Sequence, residues 1–161
     1  LFIIGVYLPS TNKSTYEYRE YISDLKDVCD RYNSIGTVIL AGDFNGHLSA
    51  SKCGPRFFGT PNERGKYIEQ FLDDCEFVCV NTQQVTTGPL YTYTSSDMMH
   101  QSLIDFIMIP GSKLDLVKRC SVTDDHDLIL SNHCPIFMEF CIEQNLKKYS
   151  EVTMLKWNKS S

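Results

Sequence analysis

The chain has 161 residues, 42% of them apolar and 22% charged, with a net charge of −5, which suits one globular domain able to bury a real core. That balance excludes the basic footprint of an autonomous nucleic-acid binder, yet stays compatible with a phosphodiester enzyme, because bound divalent cations can reverse the field of a carboxylate cluster. No apolar run is long enough to span a bilayer, and seven cysteines, an odd number set mostly in apolar stretches, are expected to be core thiols in a reducing, intracellular compartment.

Residues 1–7, Leu-Phe-Ile-Ile-Gly-Val-Tyr, read as a strand with no turn or cap before it. A strand that opens a chain in this way needs neighbours on both edges, so the chain is expected to be a piece of something longer. Tyr7, at the strand end before Leu8-Pro9, is placed either to donate to a phosphate or to pack as a partly buried structural Tyr. After a turn over 8–12, Ser14 and Glu17 form a capping box. Tyr18, Tyr21, Ile22, Leu25, Val28, Cys29 and Tyr32 then recur as one apolar helical stripe.

Val38, Ile39 and Leu40 read as a strand covered on both faces. Gly42 permits a sharp exit, and the two-residue period aims Asp43 and Asn45 to the same side. Two oxygen-bearing side chains at the end of a buried strand are how a chain builds a hard-cation or phosphate site. If the strands on either side of the helix share a sheet, they are parallel with a right-handed crossover.

Residues 46–63 are rich in Gly, Pro and Ser and are expected to form an irregular loop, functional or mobile, carrying His47, Arg56 and Phe57-Phe58. A second helix is expected over 63–75 with Tyr67, Ile68, Phe71 and Leu72 facing inward. Strands follow over 77–80, 90–94, 103–109, 116–123 and 134–142, with a turn at 86–89 and an acidic loop at 124–127. The 103–109 strand is interrupted only by Asp105, and a carboxylate in a core strand costs several kcal/mol unless it is paired or metal-bound. Asp105 therefore calls for a cation or a His. His133 stands immediately before a strand that Pro135 helps to set, and a carboxylate that orients an imidazole is the usual arrangement for an acid–base His. His47, His100 and His126 lie in polar loops and read as solvated.

Taken in order, Val6-Tyr7-Leu8-Pro9, Gly42-Asp43-Phe44-Asn45, Ser102-Leu103-Ile104-Asp105-Phe106 and Ser131-Asn132-His133-Cys134-Pro135 resemble the endonuclease/exonuclease/phosphatase superfamily. The likeness is greatest to its branch in non-LTR retrotransposon, reverse-transcriptase-linked endonucleases. Each block is short, but their ordered combination extends over nearly the whole chain and is specific. The resemblance implies an α/β fold, a two-sheet α/β sandwich over residues 1–145 with its N-terminal strands missing, and a tail or linker over 146–161. It also implies a Mg²⁺- or Mn²⁺-dependent phosphodiesterase site where strand-end loops of both sheets meet. Residue by residue, Tyr7 resembles the phosphate-contacting Tyr, Asp43 the metal-binding carboxylate that orients or activates the attacking water, and Asn45 its neighbouring catalytic and substrate-binding amide. Asp105 resembles the Asp paired with the catalytic His, His133 that His, and Thr92 and Ser102 the small hydroxyls near the substrate.

Two departures bear on activity. Asn132 stands where the family's Ser-Asp-His block has its acidic residue, and an amide is a weaker ligand for a hard cation and cannot accept a proton. Loss of such a charge can cost orders of magnitude in rate. The family's upstream Asn and its principal Mg²⁺-binding Glu also precede the Tyr block at which this chain begins, so the chain alone is expected to be inactive, with an apolar sheet face left uncovered. The whole protein implied is a DNA-nicking endonuclease of a retroelement with a fused reverse transcriptase downstream, no membrane partner, and action in the nucleus. A second reading, which Asn132 and the missing Glu favour, is a non-catalytic nucleic-acid or protein interaction module that keeps the fold. Retention of Asp43, Asn45, Asp105 and His133 argues against it.

Overall fold

The first strand, β1 (Phe2–Tyr7), is followed by α1 (Thr15–Asn33) and β2 (Val38–Asp43), with the two strands parallel as expected and in register from Phe2 opposite Val38 to Tyr7 opposite Asp43. The computed structural model describes residues 1–10, 12–124 and 131–142; the expected acidic loop around His126 and the expected tail over 146–161 fall wholly or largely outside the described residues. Ser14 starts α1 as the sequence predicts. Its hydroxyl accepts from the Glu17 amide at 3.1 Å while Glu17 Oε2 accepts from the Ser14 amide at 3.1 Å, which satisfies donors that a helix start leaves open. The buried stripe is narrower than expected. Tyr18, Ile22, Leu25, Cys29 and Tyr32 join the core, whereas Tyr21 and Val28 are exposed, because the sheet beneath covers one line of i+3 and i+4 steps.

The stretch after β2 is not a fully open loop. It holds α2 (Ala50–Cys53) and a 3₁₀ turn (Gly54–Arg56) before α3 (Glu63–Asp74). Asn62 caps α3 with its side-chain oxygen on the Gly65 amide at 2.8 Å and also takes the His47 amide at 3.1 Å. Ile68, Phe71 and Leu72 are buried as expected and Tyr67 only partly.

Beyond α3 come β3 (Phe77–Cys79), a 3₁₀ turn (Val80–Thr82), β4 (Thr86–Thr87), β5 (Tyr93–Thr94), β6 (Gln101–Ser102), β7 (Asp105–Pro110), a 3₁₀ segment (Gly111–Leu116), β8 (Val117–Val122) and β9 (Ile136–Phe140). The expected turn over 86–89 contains β4, which pairs in parallel with β8. The strand expected over 90–94 shrinks to β5, since the residues before it carry the chain from one sheet to the β5–β6 hairpin. The apolar run 103–109 becomes a strand only from Asp105, so this carboxylate opens β7 instead of interrupting it.

Alternation along β2 divides the core. Val38 and Leu40, with Phe106 and Met108 of β7, pack under the helices. Ile39, with Ile107 and Ile109, packs against Val117, Cys120, Ile136 and Met138. A strand with apolar groups on both faces requires cover on both. The outcome is an α/β sandwich of two sheets, with helices on the four-stranded sheet β1-β2-β7-β3 and the three-stranded sheet β4-β8-β9 behind it. At the open edge, β1 leaves Ile3 71% exposed.

Gly42 does not turn the chain. It lies within β2 at φ 150°, and a Cβ there would stand 1.8 Å from the Val6 carbonyl oxygen, so its lack of a side chain is what lets β1 approach. Gly42→Ala is accordingly expected to cost roughly 2–4 kcal/mol of stability, read as a lowered urea midpoint by circular dichroism. A midpoint equal to that of the parent would show that the two strands tolerate separation there.

Candidate active site

Strand register alone brings three of the expected residues to one rim. Tyr7 is opposite Asp43, and Asp43 is opposite Asp105. Both carboxylates occupy positions that alternate onto the face shared with the second sheet, and His133 precedes β9 of that sheet, bridged to Tyr93. His133 Nδ1 lies 3.0 and 3.1 Å from the two Asp105 carboxylate oxygens. One potential ligand atom from each of Asp43, Asp105 and His133 falls within 4.8 Å of the others. Because an ionised carboxylate only accepts, Nδ1 carries the proton and Nε2 is the nitrogen left for chemistry.

Asn45 reaches Asp43 by a route other than the strand period. Its φ of 48° is the left-handed conformation that Asn tolerates, and it folds the chain back on itself. The Asn45 amide donates to Asp43 Oδ1 at 2.9 Å, and Nδ2 donates to Asp43 Oδ2 and to the Leu8 carbonyl, each at 2.9 Å. Phe44 between them is buried, and its carbonyl accepts from the Tyr18 hydroxyl at 2.5 Å. Arg64, itself buried, lies 4.9 Å over the Tyr18 ring and donates to the Pro9 and Lys13 carbonyls.

The remaining expected residues divide. Thr92 Oγ1 accepts from the Ile104 and Asp105 amides at 3.2 and 3.0 Å, and the side chain has no exposed surface. Thr92 thus holds the Asp105 backbone and is not open to a substrate. Ser102 is half-buried opposite Tyr93, its carbonyl accepting from the Thr92 amide. Asn132 is exposed and its amide donates to Ser96 Oγ at 2.9 Å, which binds it to the β5–β6 hairpin. Tyr7 is 77% exposed at the rim. The buried polar residues also include Arg64 and Asn81, the latter just after β3. Like Asp105, each is a polar group where the sequence pattern wants an apolar one.

Burial pushes the Asp43 carboxyl above the usual carboxylate range; the Asn45 amide pulls it back, and the charge of Asp105 pushes it up again. Burial also raises Asp105, opposed by hydrogen bonds from Thr92 and His133. Two half-buried carboxylates beside one imidazole form a rim short of positive charge, which suits a hard cation. The cysteines are free thiols, with burial pushing Cys29 and Cys53 up to about 12.

Residues 1–137 match the model of a family described as endonuclease-reverse transcriptase. A curated relative, craniofacial development protein 2 of Bos taurus, is 27% identical over 113 residues, 67% of this chain and 19% of that protein. Among solved structures, the 3′ phosphatase NExo from Neisseria bound to product DNA hairpin superposes with a TM-score of 0.65 at 18% identity, covering 87% of this chain and 61% of that one. The endonuclease domain of TRAS1, a telomere-specific non-LTR retrotransposon, gives 0.58 at 20% identity over 78% and 52%. An AP endonuclease from Archaeoglobus fulgidus gives 0.63 at 15% identity over 87% and 61%. At these identities the structures establish the fold. The chain spans about a fifth of the curated relative and about half to three-fifths of these solved chains.

A carboxyl group whose folded value is raised leaves the folded state holding more protons than the unfolded one, so stability falls as pH climbs from the unfolded value through the folded one. Asp43→Asn removes that loss. In the absence of divalent cations, the stability of Asp43→Asn relative to the parent should therefore increase from pH ~4 to pH ~7. Urea midpoints in EDTA across that range measure it, and a flat or falling difference would count against a strained Asp43.

Proposed function

The chain belongs to the endonuclease-reverse transcriptase family, and we propose that its Asp43–Asp105–His133 rim is the metal-dependent phosphodiesterase site of a DNA-nicking endonuclease. The observation that carries this reading is the convergence of two carboxylates and an imidazole, separated widely in sequence, to within 4.8 Å at the meeting of two sheets. The reaction is in-line attack of water on a phosphodiester, in which a P–O bond forms to water, the bond to the leaving oxygen breaks, and the water's proton ends on that oxygen. Asp43, held by both donors of Asn45, orients the water. His133, fixed as the Nδ1–H tautomer by Asp105, presents Nε2 to the phosphate and stabilises the charge that develops there. Tyr7 is exposed on the same row and donates its hydroxyl to a non-bridging oxygen.

Asp43 and its neighbours offer the hard oxygen donors that Mg²⁺ or Mn²⁺ prefers, and a bound ion supplies Lewis-acid polarisation of the phosphate. DNA as substrate, a reverse transcriptase domain joined downstream and action in the nucleus are parts of the same proposal. Its supports are the family's description, the likeness to the TRAS1 endonuclease domain, and seven free thiols that fit a reducing interior. Asn132, an amide bonded to Ser96, is the observation that favours the second reading, a binding module without activity.

A plasmid-nicking assay separates the two. It is run on the 161 residues and on the same residues extended by the coding sequence upstream of Leu1. Cation-dependent nicking is expected in the extended form, abolished by EDTA, lowered about 10²- to 10⁴-fold by His133→Ala and raised by Asn132→Asp. Nicking indifferent to His133→Ala, or none in either form, would leave the binding module as the better reading.

A further inference from the structure

β3 runs beside β7 only from Phe77 opposite Pro110 to Cys79 opposite Met108, and the chain then leaves the sheet in the Val80–Thr82 turn. On that side the carbonyl of Asp105 and the amide of Ile107 have no strand to pair with. The Asn81 side chain takes both positions: Nδ2 donates to the Asp105 carbonyl at 3.0 Å and Oδ1 accepts from the Ile107 amide at 3.0 Å. A carboxamide carries the same donor and acceptor as a peptide group, so Asn81 substitutes for one residue of missing strand. Behind it, Arg56 Nε donates to the Asn81 carbonyl at 3.3 Å, and Nη2 donates to the Gly88 and Pro89 carbonyls at 2.9 and 2.7 Å. This ties the turn to the stretch that leads to Thr92, whose hydroxyl accepts from the Asp105 amide. Asp105 is thus clamped at its own N–H by Thr92 and at its own C=O by Asn81.

We propose that Asn81 is a positioning residue, braced by Arg56, that sets where the Asp105 carboxylate meets the His133 imidazole. At 2% exposure it is closed to substrate and reaches the pair through the Asp105 backbone. Its catalytic meaning rests on the nuclease reading of that pair.

Asn81→Asp keeps size and the acceptor for Ile107 but loses the donor to Asp105, and Arg56→Met leaves the carboxamide in place while removing its brace. Both are compared with the parent at a temperature where circular dichroism shows each to be folded. The expected result for Asn81→Asp is a fall of about 10- to 100-fold in kcat with KM unchanged, together with loss or displacement of the low-field Nδ1 proton resonance of His133. Arg56→Met should show a smaller change of the same kind. A folded Asn81→Asp with kcat within about twofold of the parent and an unmoved resonance overturns the proposal, even if its thermal stability is lower. Should Asn81→Asp not fold, Arg56→Met decides by the same two readouts. Should no form of the parent cleave DNA, the nuclease reading fails separately, and the His133 resonance alone decides whether Asn81 positions the pair.

Discussion

Two carboxylates face each other across β2 and β7, and the rest of the rim answers to that unfavourable pairing. Like charges directly opposite in a sheet repel, and partial burial withholds the water that would screen them. For stability alone, an apolar or hydroxyl pair at Asp43 and Asp105 would serve better. The surrounding chain instead converges polar groups on them: two donors from Asn45, the imidazole of His133 and the hydroxyl of Thr92. A costly pair maintained by this many partners is the pattern expected where function overrides local preference.

The fold supplies rigidity at each of these points. Close approach at Gly42 sets β1 against β2, so Tyr7 stays in line with Asp43. On the helical side, Arg64 and Tyr18 hold the Phe44 carbonyl and the turn after β1, which fixes the backbone on either side of Asn45. Asp105 belongs to one sheet and His133 leads into the other. Their hydrogen bond therefore exists only when the apolar faces of Ile39, Ile107 and Ile109 have closed on those of Val117 and Ile136. The geometry of the site and the burial of the second core therefore depend on the same packing.

Most of what the sequence made legible was local. The apolar run of β2, the capping box of α1 and the oddity of Asp105 all follow from periodicity and from the cost of burying charge. Strand alternation predicts that Asn45 lies near Asp43, but a left-handed residue is what brings the amide round. Gly42 reads locally as a bend, but its meaning lies in a neighbour 36 residues earlier in the chain, the Val6 carbonyl. Thr86 and Thr87 resembled a turn because a two-residue strand has too few positions to show a period. For Asn81 and Arg64 the sequence shows only a polar group at an apolar position, because the partners that give it meaning, Asp105, Pro9 and Lys13, are distant in sequence. What such a side chain does, completing a sheet or pinning a loop, becomes clear only once the topology is known.

The charge of the chain bears on how such a rim would meet DNA. A net charge of −5 and a carboxylate pair at the site both repel a polyanion whose binding ordinarily draws on Lys and Arg contacts. On the proposed reading, Asp43 and Asp105 would hold a divalent cation, whose charge would offset that repulsion and would supply Lewis-acid polarisation of a phosphate. On that reading cation and substrate would bind with positive coupling, each strengthening the other by the same factor. Asn132 would shift that balance, because an amide in place of a carboxylate lowers the repulsion felt by DNA while weakening the hold on the ion.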